Sequence, residues 1–332
     1  MSAPLPGNAG TNPALDPLLL QRVEDAGLNA SAPPQQLWAD GWLVRFSPGK
    51  AKRARCVNAV AAGRRPLADK LEQAQAVFAA AGLPMVVRVT PFTQPASLDA
   101  ELAARGFGAV DDTRVMVAAG LAGLALRVLP PGLVFEPLGL GAMAQAVGAL
   151  RGSPLAQRQA HAERLASAPV PFRALALRRR DDGAIVACGQ CALEGGLAGL
   201  YDVFVEPSAR GRGLAQALCT RLLADARQAG AQAAYLQVEA DNAHARAVYM
   251  KLGFVYDPNA PKNKRIKFFI DGVEWQGAYV GEDAGDATVY LGDTTNFPGD
   301  VMLAPILYLS AGGASDMIVH MDWWGVYQLR SS

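Results

Sequence analysis

Apolar positions recur along this chain with two periods, and the period switches from segment to segment. Leu67, Leu71, Ala74, Val77 and Phe78 fall on one face of a helix over 67–81, which Gly82 stops. Strand-like runs at 42–46 and 84–90 flank it, a helix over 97–105 ends at Gly106-Phe107, and a further strand is expected over 115–119. The stretch 128–138 contains a strand broken at Pro130-Pro131. Two helices follow, over 141–150 and 154–166, the second with Ser153 as N-cap and Pro154 at its first position. Strands are expected over 172–179, 185–193 and 197–205, joined by turns at Asp182-Gly183 and Glu194-Gly195-Gly196. Leu214, Leu218, Leu222, Ala226 and Ala229 line one face of the next helix, closed by Gly230. A strand over 233–239 and a helix over 242–252, ended by Gly253-Phe254, complete the series. Residues 1–15, rich in Pro, Gly and Asn, read as loose.

Composition fits this alternation. The 332 residues are 51% hydrophobic and 18% charged, enough apolar surface for two or three packed domains. The net charge of +1 gives no global case for nucleic acid or a membrane surface as partner. The longest uncharged apolar run, 115–126, is 12 residues, short of the roughly 20 a membrane helix needs. The N-terminus lacks a basic region and a long apolar stretch, so no secretory signal is read and a cytoplasmic setting is expected. Cys188 and Cys191 form a single CxxC without a second pair or a nearby histidine, so reduced structural cysteines are expected, and no metal site. Three histidines, His161, His244 and His320, serve a histidine-centred triad poorly.

Charge is unevenly spread. After Arg265 stand two basic residues, Lys267 and Arg330, against nine acidic ones, so the end of the chain carries −7 and residues 1–265 carry +8. The same tail holds Trp275, Trp323 and Trp324 and no cysteine. The linker-like run 257–264 marks the start of a separate module.

The chemistry is concentrated in residues 200–254. A strand runs into a basic, Gly-rich turn, Arg210-Gly211-Arg212-Gly213, that opens a helix. Free amides and the helix dipole make such a junction an anion site, and the glycines let the main chain approach a phosphate. A P-loop is excluded because no Lys-Ser or Lys-Thr follows. The dinucleotide GxGxxG starts at Gly211 and Gly213 and fails at Gln216.

The segment resembles the GCN5-related N-acetyltransferase (GNAT) superfamily. That family's pyrophosphate loop reads Gln/Arg-x-x-Gly-x-Gly/Ala, and Arg210-Gly211-Arg212-Gly213-Leu214-Ala215 fits every fixed position. Before it stands Tyr201-Asp-Val-Phe-Val205, and after it Asn242 through Tyr249 to Gly253-Phe254 at the family's spacing. The resemblance covers about 125–257. It implies an α/β (α+β) GNAT fold, a mixed, mostly antiparallel sheet flanked by helices, and an acyltransferase: acetyl-CoA-dependent acetylation of a primary amine, small molecule or peptide, by direct attack in a ternary complex. Acetyl-CoA enters as cosubstrate. The resemblance further implies that Val203, Phe204 and Val205 offer backbone groups to the pantetheine arm. One main-chain amide there would polarise the thioester carbonyl. Gly211 to Ala215, with Arg210 and Arg212, would cradle the pyrophosphate, and Asn242 would bond the coenzyme's amide. Tyr249 would protonate the leaving thiolate. For the base, Glu239, on one strand face with Tyr235 and Gln237, is set beside Asp202. The acceptor and the oligomeric state are not readable.

The order helix, strand, helix, Gly-Phe also occurs upstream, over 67–107. It suggests a duplicated, tandem arrangement with a degenerate acetyltransferase-like domain at 16–120 before the catalytic domain at 125–257. The upstream loop, 47–58, is basic but lacks the pyrophosphate pattern, and Leu102 stands where Tyr249 stands downstream. A plain α/β packing domain is the competing reading of that half. The tail, 266–332, reads as strands over 266–270, 288–291, 302–309, 318–321 and 324–328. Its pieces loosely resemble the closing strands of concanavalin-like jelly rolls, without the paired carboxylates of the related glucanases. It is a jelly-roll fragment or a set of strands completing the acetyltransferase sheet. The alternative function is an inactive acetyltransferase scaffold carrying a carbohydrate-binding module, with Trp323 and Trp324 as a stacking platform.

Overall fold

The first helix begins at Asp16, whose carboxylate accepts the Leu18 amide at 3.0 Å; with Pro17 at its first position, α1 runs Pro17–Ala30. Strands β1 (Gln36–Ala39) and β2 (Trp42–Arg45) form a hairpin over Asp40-Gly41, both in the left-handed region that such a turn demands. β3 (Val57–Asn58), α2 (Leu67–Ala80), β4 (Val86–Val89), α3 (Leu98–Ala104) and β5 (Gly108–Ala118) follow. The next stretch supplies β6 (Leu133–Leu138), α4 (Leu140–Leu150), α5 (Leu155–Ala166), β7 (Phe172–Arg179), β8 (Ile185–Glu194) and β9 (Leu197–Val205). Then come α6 (Leu214–Gln228), β10 (Ala233–Glu239), α7 (Ala243–Lys251) and β11 (Ile266–Ile270). The computed structural model describes residues 16–49, 51–124, 126–253, 266–270, 307–309, 317–322 and 325–329.

One sheet contains all eleven of these strands, in the order β1-β2-β3-β4-β11-β5-β10-β9-β8-β7-β6. Outward from the central β11–β5 pair, the two directions show the same pairings. β4 pairs β3 in parallel, as β10 pairs β9, and the neighbours beyond are antiparallel on both sides. β11 lies antiparallel to both β4 and β5, and β5 antiparallel to β10. The expected strand at 266–270 therefore joins this sheet.

Several boundaries differ from the local pattern. β5 starts at Gly108, where a strand was expected only from 115, because Gly108–Thr113 gain partners on β11. The polar run Asp111 to Arg114 hides that pairing from a hydrophobicity reading. α5 has Pro154, not Ser153, at its N-cap and no side-chain cap bond; the Ser153 carbonyl accepts from Arg158 Nε at 2.7 Å.

Hydrophobic clusters lie on both faces. α6 covers Leu175, Leu177, Leu200 and Leu236 on one face, and α4 covers Ala174, Ala176 and Cys188 on the other. α1 packs Val23 and Ala26 onto Val117, Leu197, Ala233 and Tyr235. α2 and α3 bury Phe78, Leu98 and Leu102 against β2 and β4. Cys188 and Cys191 sit in clusters on opposite faces of the sheet, an arrangement unsuited to sharing a ligand. All four cysteines are free and buried, and burial pushes their thiols up, Cys56 to about 11 and Cys188, Cys191 and Cys219 to about 12.

Residues 276–332 form a second unit. Its described part is a three-stranded antiparallel sheet of β12 (Leu307–Leu309), β13 (Met317–Asp322) and β14 (Gly325–Leu329). The expected strand at 288–291, the loose N-terminus at 1–15 and Trp323 and Trp324 lie outside the described residues.

Candidate active site

β9 and β10 run side by side only from Leu197 to Leu200 and from Ala233 to Leu236. Past that point β9 keeps to β8 and β10 keeps to β5, so the parallel pair opens into a wedge. Main-chain groups on the facing edges of Tyr201–Val205 and Gln237–Glu239 then have no ladder partner across the gap, a vacancy that another extended chain could fill. The wedge begins at a bulge. Gln190 faces Tyr201 and Cys188 faces Phe204, so Asp202 and Val203 together oppose Gly189. Asp202 takes a left-handed conformation, φ +52°.

Three elements grip the Asp202 side chain. Arg151, just beyond α4, donates to Oδ1 at 3.0 Å, and Gln190 Nε2 donates to Oδ2 at 2.7 Å. His161 Nε2 from α5 lies 3.1 Å from Oδ2, off the line of a well-directed hydrogen bond. Burial opposes the charge, but His161, Arg151 and Arg164 outweigh it and hold the carboxyl well below the usual range. A carboxylate held this firmly accepts a proton poorly, so its place is in fixing the bulge and not in proton transfer.

The wedge points at the start of α6. Gly211 and Gly213 both have left-handed φ, +75° and +74°. Gly213 is the N-cap and brings no side-chain cap, so the first-turn amides lack helix partners and side-chain acceptors. Nothing lies within 4 Å of where a Cβ of Gly211 would stand, and a Cβ on Gly213 would sit 3.6 Å from Arg127 Nη1. The loop thus presents bare, open backbone amides beside Arg127, Arg210 and Arg212, the donor set a diphosphate requires. Arg210 Nε donates to the Val205 carbonyl at 3.3 Å, tying the loop to the end of β9. The guanidinium groups of Arg151 and Arg210 lie 5.5 and 5.6 Å from the Phe204 ring.

Of the remaining expected residues, Asn242 caps α7, its Oδ1 accepting from Ala245 at 3.0 Å. Tyr249 on α7 is half-buried against the α6 cluster, and burial, then Cys219, pushes its phenol well above the ordinary value, so it holds its proton at neutral pH. Glu239 ends β10 opposite Thr113 of β5 and is exposed. Leu214 is buried and Ala215 half-buried at the start of α6.

Sequence reading missed the residues behind the wedge. Arg151, His161 and Gln190 are separated in sequence and gather only because α4, α5 and β8 converge. Arg53, in the basic loop, donates to Gln237 Oε1 of β10 and lies 5.6 Å from the Tyr201 ring. Tyr201 in turn donates its hydroxyl hydrogen to the Tyr235 hydroxyl at 3.0 Å. The upstream half therefore walls the face on which Gln237 and, two residues on, Glu239 project. Among the described residues no cluster of three metal-ligating side chains occurs, and no helix is long and apolar enough to cross a membrane.

Comparison with known proteins gives a family match, a partial relative and solved structures of similar fold. Residues 146–254 match the Acetyltransferase (GNAT) family. A mycothiol acetyltransferase from Saccharomonospora viridis is 51% identical over 55 residues, 17% of this chain and 18% of that protein, so the likeness spans less than a fifth of the relative's length. A GCN5-related N-acetyltransferase from Kribbella flavida superposes with a TM-score of 0.55 at 19% identity, over 76% of this chain and 95% of that one. A tandem GNAT protein from the clavulanic acid biosynthesis pathway superposes with a TM-score of 0.50 at 16% identity, over 62% and 70%. At these identities the two structures speak for the fold alone, and the family match covers about a third of the chain.

Proposed function

We propose that the protein transfers the acetyl group of acetyl-CoA to a primary amine. The observation that carries this reading is the alignment of the β9–β10 wedge with an uncapped α6 whose opening bend, Arg210 to Ala215, has two left-handed glycines. The bend fits a diphosphate and the wedge fits an extended amide-containing arm. In this reading the amides of Gly211 to Ala215, with Arg210 and Arg212, hold the diphosphate, and Val203, Phe204 and Val205 pair with the arm. The Asn242 Nδ2, left over from the cap, reaches the coenzyme's amide.

The bound thioester supplies an activated acyl group. Glu239 takes the proton the amine must lose, directly or through water, and a β9 amide at the bulge steadies the carbonyl oxygen. As the N–C bond forms and the C–S bond breaks, Tyr249 delivers its proton to the departing sulfur. Asp202 acts as a positioning residue, since Arg151, His161 and Gln190 fix the bulge through it.

The chain reads as two acetyltransferase-like halves, 16–120 and 125–257, arranged about the β5–β11 pair, of which β5 belongs to the first half and β11, at 266–270, follows the second. The mirrored pairings on either side of that pair support this, as does the tandem organisation stated for the clavulanic acid pathway protein. The upstream half carries no pyrophosphate loop and serves as a wall of the acceptor cleft. A cytoplasmic location accompanies this reading. The rival, a carbohydrate-binding tail on an inactive scaffold, draws its argument from Trp323 and Trp324, which lie outside the described residues. Calorimetry with acetyl-CoA separates the two: heat with acetyl-CoA and thiol release with an amine support the enzyme, whereas oligosaccharide binding without acetyl-CoA binding overturns it.

A further inference from the structure

Arginines from several elements gather near α1 and β9: Arg164 of α5 reaches the end of α1, Arg53 of the 3-10 turn at Lys52–Ala54 lies on Tyr201 of β9, and Arg88 of β4 meets Glu24 of α1. Glu24 is already taken, forked onto Arg88 with its Oε2 2.9 Å from Arg88 Nη2. Asp202 is held by Arg151 and Gln190. Arg53, Arg45 and Arg164 have no carboxylate in salt-bridge contact among the described residues. Arg53 bonds the Gln237 amide, and Arg164 donates to the Ala30 carbonyl at 3.3 Å. Arg45 donates Nε to Gln36 Oε1 at 3.0 Å, and its Nη1 is buried without a partner; the side chain is 2% exposed. These groups act on one another. Burial, with Arg88 and Arg164 adding repulsion, lowers the Arg45 guanidinium to about 10, still charged at neutral pH. Arg53 and Arg164 are half-buried, whereas Arg45 is buried.

A buried surplus of positive charge costs stability unless an anion balances it. The site has the right neighbours for a substrate anion. Tyr201, against which Arg53 lies, immediately precedes the bulge, and Gln237 precedes Glu239 by two residues on the same strand face. Two strand residues span about 6–7 Å, the scale of a small amino acid and too short for a long polyamine.

We propose that Arg53 and Arg164, backed by Arg45, bind a carboxylate on the acceptor, so that the enzyme acetylates small primary amines bearing a carboxylate. The proposal deepens the acetyltransferase reading and rests on it. A guanidinium suits a carboxylate, and the neutral Gln237 that Arg53 bonds leaves the Arg53 charge uncancelled.

The test pairs each of a panel of amino acids with its carboxamide, in thiol-release assays with acetyl-CoA. The expected result is a preference for the carboxylate of at least roughly tenfold in kcat/KM. Arg53→Ala and Arg164→Ala should each erase that preference through KM, with acetyl-CoA affinity by calorimetry unchanged. Equal rates on acids and amides, or an equal loss on both in the two variants, would overturn the proposal. A separate arm needs no turnover. Millimolar amino acid should raise the melting temperature of the wild-type chain, its carboxamide should not, and Arg53→Ala should abolish the shift. If acetyl-CoA neither binds nor reacts but this shift remains, the acetyltransferase reading fails and the carboxylate site stands. If acetyl-CoA binds and reacts and the shift is absent, the carboxylate site fails alone.

Discussion

Arg151 donates to the carboxylate of Asp202 at 3.0 Å, joining the end of α4 to the residue at which β9 begins to leave β10. The pair holds a left-handed, non-glycine residue in a conformation that an unsupported backbone avoids. What it stabilises is the geometry of the wedge.

Asp202→Asn should therefore lower kcat about tenfold or more while changing acetyl-CoA affinity less. Stability should fall by about 2 kcal/mol, below the ~3–5 of a wholly buried pair because Arg151 is partly exposed. The carboxyl is held low in the folded state and rises to its ordinary value near ~3.9 on unfolding. The unfolded chain thus takes up a proton first, and stability is lost as the pH falls below about 4. Urea unfolding at pH 7 and at a series of acid pH values should show a shallower acid loss in Asp202→Asn than in the wild type. Parallel acid limbs would remove Asp202 from that role.

Tyr249→Phe should reduce turnover by roughly 10- to 100-fold. Calorimetric affinity for acetyl-CoA should stay within about twofold, since the ring and its packing against the α6 cluster are kept. Because burial raises the phenol, the kcat profile of the wild type should show no loss from tyrosine ionisation below pH ~10. A matched loss of affinity and turnover would make Tyr249 a packing residue.

Gly213→Glu adds a side chain at φ +74°, near Arg127, and a negative charge at the uncapped start of α6. Acetyl-CoA binding should weaken by at least roughly tenfold, and Gly213→Ala, which adds strain of about 1 kcal/mol without charge, should weaken it much less. Isothermal titration of the three proteins reads this directly; equal affinity across them would place the diphosphate elsewhere.

Arg88 and Glu24 make a forked pair with Arg88 2% exposed, anchoring α1 to β4. Arg88→Met leaves Glu24 without its partner and should cost about 3–5 kcal/mol. The Arg88→Met, Glu24→Gln double variant should recover part of that loss, and chemical unfolding of the three variants measures the coupling.

Much of the downstream half was legible because its signals are local. The glycine bend that opens α6, the helix that Asn242 caps and the strand β10 are properties of short windows, and they fall where expected. What could not be read depends on partners far along the chain. Residues 108–114 look polar and irregular until β11 is laid beside them. His161 and Arg151 carry no motif; they matter because two helices deliver them to one carboxylate. Arg53 was visible only as one charge in a basic loop, and its contact with Gln237 follows from tertiary packing.

The place of β11 has a consequence for synthesis. Ile266–Ile270 slot between β4 and β5, strands translated well over a hundred residues earlier. On the ribosome the early strands wait with an open flank until the late one emerges, and a chain interrupted anywhere before it leaves that flank bare. Biogenesis of this protein is thus a delayed closure, with a long window in which a chaperone or a stray strand can occupy the gap.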